Sequence, residues 1–306
     1  SAATEIYTLS LHDALPISLS RKIDVGSIRS IPGDRIFIVQ LADAPMMDMD
    51  LLSWSRHYRN MPGEGDLPVV DFMSAIAATG YAGVISLEIF NDQFRGGSPR
   101  AIARDGHRSL TFLMDQVRRA EPALKIDVPP MPDRVRVEGV EFVEFAADEG
   151  EAETLAALFR TLGFAEAGRH IAKDVTVWRQ GAINLVINSE REGFAHASYL
   201  AHGTSVCDIG LRVDDASATV ERAKALDADI FSQPVGPGEL AIPAIRGVAG
   251  GVIHFVDSRS ELSNVWDIEF RRVLPAEDAG GAGLLAIDHI AQTMNYEEML
   301  TWILFY

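Results

Sequence analysis

The order of elements along this chain changes once, at a Pro-rich run over residues 121–137, and that change restricts the fold more than any single motif. Before it the pattern reads strand, helix, helix, strand, helix. After it, one strand, one helix and three strands occur twice in succession. Alternating strands and helices build a parallel sheet covered by helices, whereas a repeated strand–helix–three-strand unit makes a module whose copies pair. The chain therefore divides at the Pro-rich linker.

In the first part, IPGD (31–34) is a turn and RIFIVQLAD (35–43) a strand that ends in polar residues. Residues 50–59 and 68–79 read as helices, the second with Val69, Phe72, Met73 and Ile76 at helical spacing, and Gly80 stops it. Residues 83–90 follow as a buried strand, because Val84, Ile85, Leu87, Ile89 and Phe90 are apolar on both faces. A long amphipathic helix covers 99–120, with Ile102, Leu110, Phe112, Leu113 and Val117 inward. Two strands cannot close an eight-stranded barrel, so this part corresponds to the last two β/α units of one. Strands at 35–43 and 83–90 would then present open edges and an uncovered apolar face.

Glu88 stands at the C-terminal end of its strand, where α/β folds place their chemistry, and Gln40 stands near the end of the preceding strand. Adjacent strands bring such positions within about 5 Å of each other. A carboxylate and a carboxamide oxygen are hard donors, suited to Mg²⁺ or Mn²⁺ rather than Zn²⁺. A salt bridge at the sheet rim accounts for Glu88 equally well, and an amide that satisfies a loop backbone accounts for Gln40. Arg56, His57 and Arg59 precede a Pro-Gly turn and suit an anionic substrate group, or else form a solvated helix face. Met46, Met47 and Met49 are expected to pack a loop.

In the second part the strands fall at 140–146, 165–171, 174–180 and 182–188, with a helix at 150–164. The unit repeats with a strand at 207–213, a helix at 214–228 and short strands near 229–232, 241–246 and 251–256. GPGEL (236–240) is a turn and not a phosphate loop, since no strand and helix flank it. After a Gly/Ala-rich stretch, residues 285–306 begin the unit a third time, with a strand and then a helix starting at Asn295 with Glu297 and Glu298. That helix runs into Trp302, Ile303, Leu304 and Phe305, which reads as truncation. Residues 1–18 have no clean period, Pro16 interrupts any helix, and the run resembles a translated sequencing adapter. We read them as non-native and exclude His12 and Asp13 from the functional argument.

A net charge of −17 argues against nucleic-acid backbones and anionic lipid as partners. The single cysteine, Cys207, excludes a disulfide framework within the chain, points to a reducing compartment, and reads as a small buried residue. No apolar run approaches the roughly 20 residues that span a bilayer. These features describe a soluble cytoplasmic protein.

QLADAP (40–45), RHYRNMPGEGD (56–66) and SLEIFNDQFR (86–95) together resemble the sugar phosphate isomerase/epimerase-type TIM barrel. More narrowly, they resemble the bacterial two-domain 3-dehydroshikimate dehydratase family, in which such a barrel is fused to a 4-hydroxyphenylpyruvate dioxygenase-like domain of the vicinal-oxygen-chelate fold. The resemblance covers residues 19–306 and implies α/β architecture followed by α+β. It divides the chain into a barrel part at 19–122, a linker at 123–137, a first pair of βαβββ units at 138–270, a linker at 271–284 and the start of a third unit at 285–306.

The resemblance also implies chemistry: a lyase that dehydrates 3-dehydroshikimate to protocatechuate with Mg²⁺ or Mn²⁺, in quinate/shikimate catabolism. The family's metal is held by a Glu, an Asp, a Gln and a Glu on separate strands. Gln40 matches the Gln and Glu88 the final Glu, while Ser55 and Arg59 match substrate-contacting positions. The Asp ligand and the proton-transferring His would fall just upstream of residue 19, and the first Glu lies outside this sequence, so the resemblance implies an inert fragment of an active parent. In the dioxygenase-like domain, His289 matches the first of two His that, with a Glu, hold Fe²⁺ or another divalent metal. Phe142 and Asp208 stand near the equivalent places in the first pair, which is therefore structural, and His254 faces its core or cup. The alternatives are a dioxygenase working through the C-terminal domain, or a non-catalytic binding or dimerisation module. A small-molecule substrate and a homo-oligomer are compatible with all three.

Overall fold

Three parallel strands carry the first part of the computed structural model, which describes residues 9–11, 24–273 and 281–306. They are β1 (Leu9–Leu11), β2 (Ile36–Leu41) and β3 (Ile85–Leu87), with β2 in the middle. Leu11 stands beside Val39 and Val39 beside Ile85. Between β2 and β3 lie helices α1 (Leu51–His57) and α2 (Val69–Ala78), and α3 (Pro99–Ala120) follows β3. Asp50 caps α1 by accepting the Ser53 N–H, and Pro99 opens α3 at a position where no N–H is needed. Val39, Leu41, Trp54, Phe72, Met73, Ile76, Leu113 and Val117 from β2 and the three helices form one buried core.

Two expectations need correction here. The sheet has three strands, because residues 9–11 from the stretch set aside as non-native pair along the open edge of β2. The strand expected over 83–90 shrinks to three residues, and Val84 and Phe90 are exposed to 67% and 46%. As an outer strand β3 is paired along one edge only, and the ends of the expected strand lie beyond that pairing. Met46 and Met47 are likewise exposed, while Met49 packs against the core.

The second part forms one nine-stranded sheet. Its first half contains β4 (Val137–Ala146), α4 (Glu149–Thr161), β5 (Ala165–His170), β6 (Val175–Gln180) and β7 (Ile183–Asn188). Helix α5 (Gly193–His202), not anticipated from the sequence, leads to the second half. That half contains β8 (Ser205–Val213), α6 (Ala216–Ala225), β9 (Ile230–Phe231), β10 (Ala244–Arg246) and β11 (Val252–Asp257). The short helix α7 (Val265–Ile268) and β12 (Phe270–Arg272) complete the sheet, whose order is β12-β5-β6-β7-β4-β8-β11-β10-β9. In each half the first strand runs parallel to the last, and the halves meet along antiparallel β4 and β8. The paired βαβββ units expected from the sequence are therefore present.

The strand expected in 285–294 does not form. The backbone there is used at the β6–β7 turn, where Ala182 donates to the Leu285 carbonyl at 2.9 Å and the Leu284 N–H reaches Gln180 Oε1 at 3.2 Å. The helix start at Asn295 is found as a 3₁₀ turn at Tyr296–Glu298 leading into α8 (Met299–Phe305). Residues 294–306 group with the first unit and residues 132–293 make up the second. In the first unit, Thr301 Oγ1 donates to Asp105 Oδ2 at 2.5 Å, and Gln93 Nε2 to the Tyr296 hydroxyl at 2.8 Å.

Candidate active site

Strand register decides which side chains share the end of the small sheet. Gln40 stands beside Ser86, and Glu88 lies two residues further along, so Gln40, Ser86 and Glu88 fall on one face. The Glu88 N–H continues the ladder to the Leu41 carbonyl at 3.2 Å. Gln40 Oε1 is buried and has no hydrogen-bond partner among the described residues.

Glu88 is bound by an arginine. Arg59 Nη1 lies 2.9 Å from Glu88 Oε2, while Arg59 Nη2 donates to Ser55 Oγ at 2.8 Å and Nε to the Ser55 carbonyl at 2.6 Å. The guanidinium also lies over the Phe90 ring, 4.8 Å from its centroid. Ser55, Arg59 and Glu88 thus form one linked group. Arg56 is exposed, and His57 bonds Asp92 through Nδ1 at 2.9 Å on the surface. The three basic residues singled out in the sequence do not make one buried anion site.

The loop between α1 and α2 is tied to both strand ends. Asp43 and Asn60 exchange backbone hydrogen bonds at 2.8 Å, and Asn91 Nδ2 reaches the Arg59 carbonyl and Asn60 Oδ1. The Asp43 carboxylate accepts from the N–H groups of Ala44, Gly63, Gly65 and Leu67 at 2.8–3.2 Å. Gly65 is required there, since a Cβ would fall 2.3 Å from Asp43 Oδ1. Glu64 turns inward as well and accepts the Met61 N–H at 2.8 Å. Burial pushes its carboxyl up to about 8 against that hydrogen bond, and the Asp105 and Asp43 charges add to the rise. Sequence reading passed over Asp43 and Glu64; the available signal was an acidic residue before Pro45 and another inside a Pro-Gly-Glu-Gly turn.

In the second unit, Phe142, Asp208 and His254 face a cup on the nine-stranded sheet, and His254 Nδ1 lies 2.6 Å from Asp208 Oδ2. Cys207 is buried beside the Glu144 carbonyl, and burial pushes its thiol up, as a non-nucleophilic residue requires. His289 is exposed beside Asp288, 3.0 Å from Oδ1, in a stretch without strand. Among the described residues, no group of three His, Cys, Asp or Glu side chains is placed to hold a metal ion. Among those residues, too, no helix is long and apolar enough to cross a membrane.

Two family profiles divide the chain as the fold does. Residues 20–113 match the xylose isomerase-like TIM barrel, and residues 132–271 match the N-terminal region of hydroxyphenylpyruvate dioxygenase. Along both parts the chain is similar to proteins that fuse these two folds. A solved xylose isomerase-like TIM barrel/4-hydroxyphenylpyruvate dioxygenase fusion protein is 42% identical with a TM-score of 0.85, covering 94% of this chain and 46% of that one. The 3-dehydroshikimate dehydratase of Pseudomonas putida is 43% identical over 297 residues, and that of Pseudomonas aeruginosa 41% over 294. Each alignment covers 94% of this chain and 46% of the relative, so the chain spans about half the length of the curated relatives it matches. A 4-hydroxyphenylpyruvate dioxygenase from a Pseudomonas species is 38% identical over 170 residues, 55% of this chain and 47% of that enzyme.

Proposed function

We propose that the first unit is part of the catalytic barrel of a metal-dependent 3-dehydroshikimate dehydratase, a lyase that forms protocatechuate and water. The observation that carries this reading is the unpartnered, buried Oε1 of Gln40 on the same strand-end face as Glu88. An amide oxygen without a donor fits a divalent cation, and oxygen donors suit Mg²⁺ or Mn²⁺. When bound, such a cation would supply polarisation of the substrate ketone and stabilisation of enolate-like charge. Gln40 and Glu88 would be two of the residues that hold it. Arg59 fixes the Glu88 carboxylate, and with Ser55 it borders the substrate. Gln40 and Glu88 supply only two of the oxygen ligands such a cation takes, so turnover by this chain alone is not expected. The protein works in the cytoplasm on a small molecule, and the acidic balance keeps nucleic acid and anionic membranes away.

The test follows protocatechuate formation from 3-dehydroshikimate with Mg²⁺ or Mn²⁺, with and without chelator. It uses both the 306-residue chain and this sequence joined to a complete barrel. The joined protein should show chelator-sensitive turnover that Glu88→Gln abolishes and Gln40→Ala reduces. Turnover indifferent to Glu88 would overturn the assignment, and turnover by the 306-residue chain would overturn its inertness.

A further inference from the structure

The concave face of the second unit holds a cavity of about 690 Å³, within the size range of small-molecule sites. Three adjacent strands supply its floor: Glu144 on β4 stands opposite Asp208 on β8, and His254 on β11 stands beside Gly210 of β8. Gly210 is required, because a Cβ there would fall 2.2 Å from the Phe142 ring, which lies across the floor. The walls are aromatic. Phe142 meets Trp266 edge-on at 5.9 Å, and Phe231 meets His254 edge-on at 6.1 Å.

Asp208 is 5% exposed, and its two oxygens differ. Oδ2 holds His254 Nδ1, whereas Oδ1 is buried and has no partner among the described residues. An acceptor left bare in such a place is costly, more so when charged, so its retention at the bottom of a cavity points to a donor on an occupant. A metal ion is disfavoured as that donor, since no three ligating side chains converge among the described residues. Asp208 already has His254 at 2.6 Å, and its charge and hydrogen bond, with Glu144 and Glu269, raise the His254 pKa against burial. Lys173 and Arg246 line the cavity beside Glu190, Glu192 and Glu269, so cations already face these carboxylates. Burial and the Asp208 charge push the Glu144 carboxyl up to about 7. A neutral hydroxyl meets these conditions, and flat aromatic walls accept a ring.

We propose that this cup is a binding site for a small hydroxylated ring compound, with the ring between Phe142, Phe231 and Trp266 and a hydroxyl donating to Asp208 Oδ1. The site is separate from the barrel chemistry and does not depend on it.

Phenol, catechol and anisole are the probes, titrated against the 306-residue chain by ligand-observed saturation-transfer NMR. Phenol and catechol should bind saturably, with anisole, which keeps the ring but lacks the O–H, about 10-fold weaker. Asp208→Ala, with its fold checked by near-ultraviolet circular dichroism, should erase that contrast. If this variant does not fold, the phenol–anisole contrast in the unaltered chain decides. Absence of saturable phenol or catechol binding below about 10 mM, equal binding of anisole, or an unchanged contrast in folded Asp208→Ala would each overturn the site. Mn²⁺ binding that Asp208→Ala removes would overturn the ligand class in favour of a metal.

Discussion

Arg59 Nη1 sits 2.9 Å from Glu88 Oε2 while two other nitrogens of the same guanidinium hold Ser55, so a carboxylate at a strand end is fixed by a helix-end arginine. The Arg59 side chain is only 3% exposed and that of Glu88 28%. Removing one partner of a largely buried pair leaves the other charge without compensation, a loss of about 3 kcal/mol. Arg59→Met should therefore lower the unfolding free energy, read from urea titration, by an amount near that figure. Arg59→Lys should recover part of it, because an ammonium meets Glu88 but cannot also reproduce the fork on Ser55. A loss well under about 1 kcal/mol for Arg59→Met would show that solvent already screens the pair.

Glu64 gives the first unit a pH dependence of defined sign. Its folded pKa, about 8, lies above its ordinary value of 4.5, so the folded chain holds this proton more tightly than the unfolded chain does. The contribution is fully present below the unfolded value and is lost as pH rises through the folded one. Glu64→Gln keeps a neutral side chain at every pH. It should flatten the fall in stability between those two values, removing a slope of up to about 1.4 kcal/mol per pH unit. Urea midpoints measured across that interval for both proteins check this, and parallel curves would count against it.

The division into two parts and the duplicated unit were legible because periodicity reports which elements pack locally. Helix α3 was expected over 99–120 and is found as Pro99–Ala120, since its apolar positions recur at helical spacing and Pro99 marks its start. Strand β3 was overestimated because a run such as VISLEIF reads as buried on both faces whatever neighbours the sheet provides. Helix α5 and the missing strand in 285–294 depend on non-local contacts that no local period encodes. Gln40 and Glu88 were found as strand-end polar residues, and register places them on one face. The partner of Glu88 was invisible, because Arg59 reaches it across 29 residues.

In the second unit, His254 and Glu144 act in the same direction. Burial opposes the charged form of His254, but Asp208, Glu144 and Glu269 outweigh it and raise its pKa above the ordinary 6.5. A raised histidine contributes stability that is complete below its unfolded pKa and lost as pH rises through its folded one. Glu144, pushed from 4.5 up to about 7, loses its contribution over that interval. Thermal melts should therefore shift downward as pH rises from about 5 to 8. His254→Gln should abolish the upper part of that shift while leaving the part below about pH 6. An unchanged profile above neutrality would mean that His254 is not charged beside Asp208.

The tie between Asp43 and the loop at 60–67 makes the last prediction. One carboxylate satisfies four backbone N–H groups, Ala44 and Leu67 on Oδ1 and Gly63 and Gly65 on Oδ2. Burial raises the pKa of this side chain and the four N–H groups lower it, with burial prevailing. Asp43→Ala strips all four donors of their acceptor, each bond contributing about 1 kcal/mol, so the loss should exceed about 3 kcal/mol. Asp43→Asn keeps one oxygen but turns an NH₂ group toward two N–H groups, and it should cost roughly half as much. Hydrogen exchange reads the effect at the loop itself. The amides of Gly63, Gly65 and Leu67 should lose protection in Asp43→Ala, and Gly65→Ala should do the same by forcing a methyl group against the carboxylate. Because this loop follows Arg59, metal-dependent turnover in a complete barrel should fall with that protection. If the three amides stay protected in Asp43→Ala, the loop is held by its other contacts and Asp43 has no part in shaping the site.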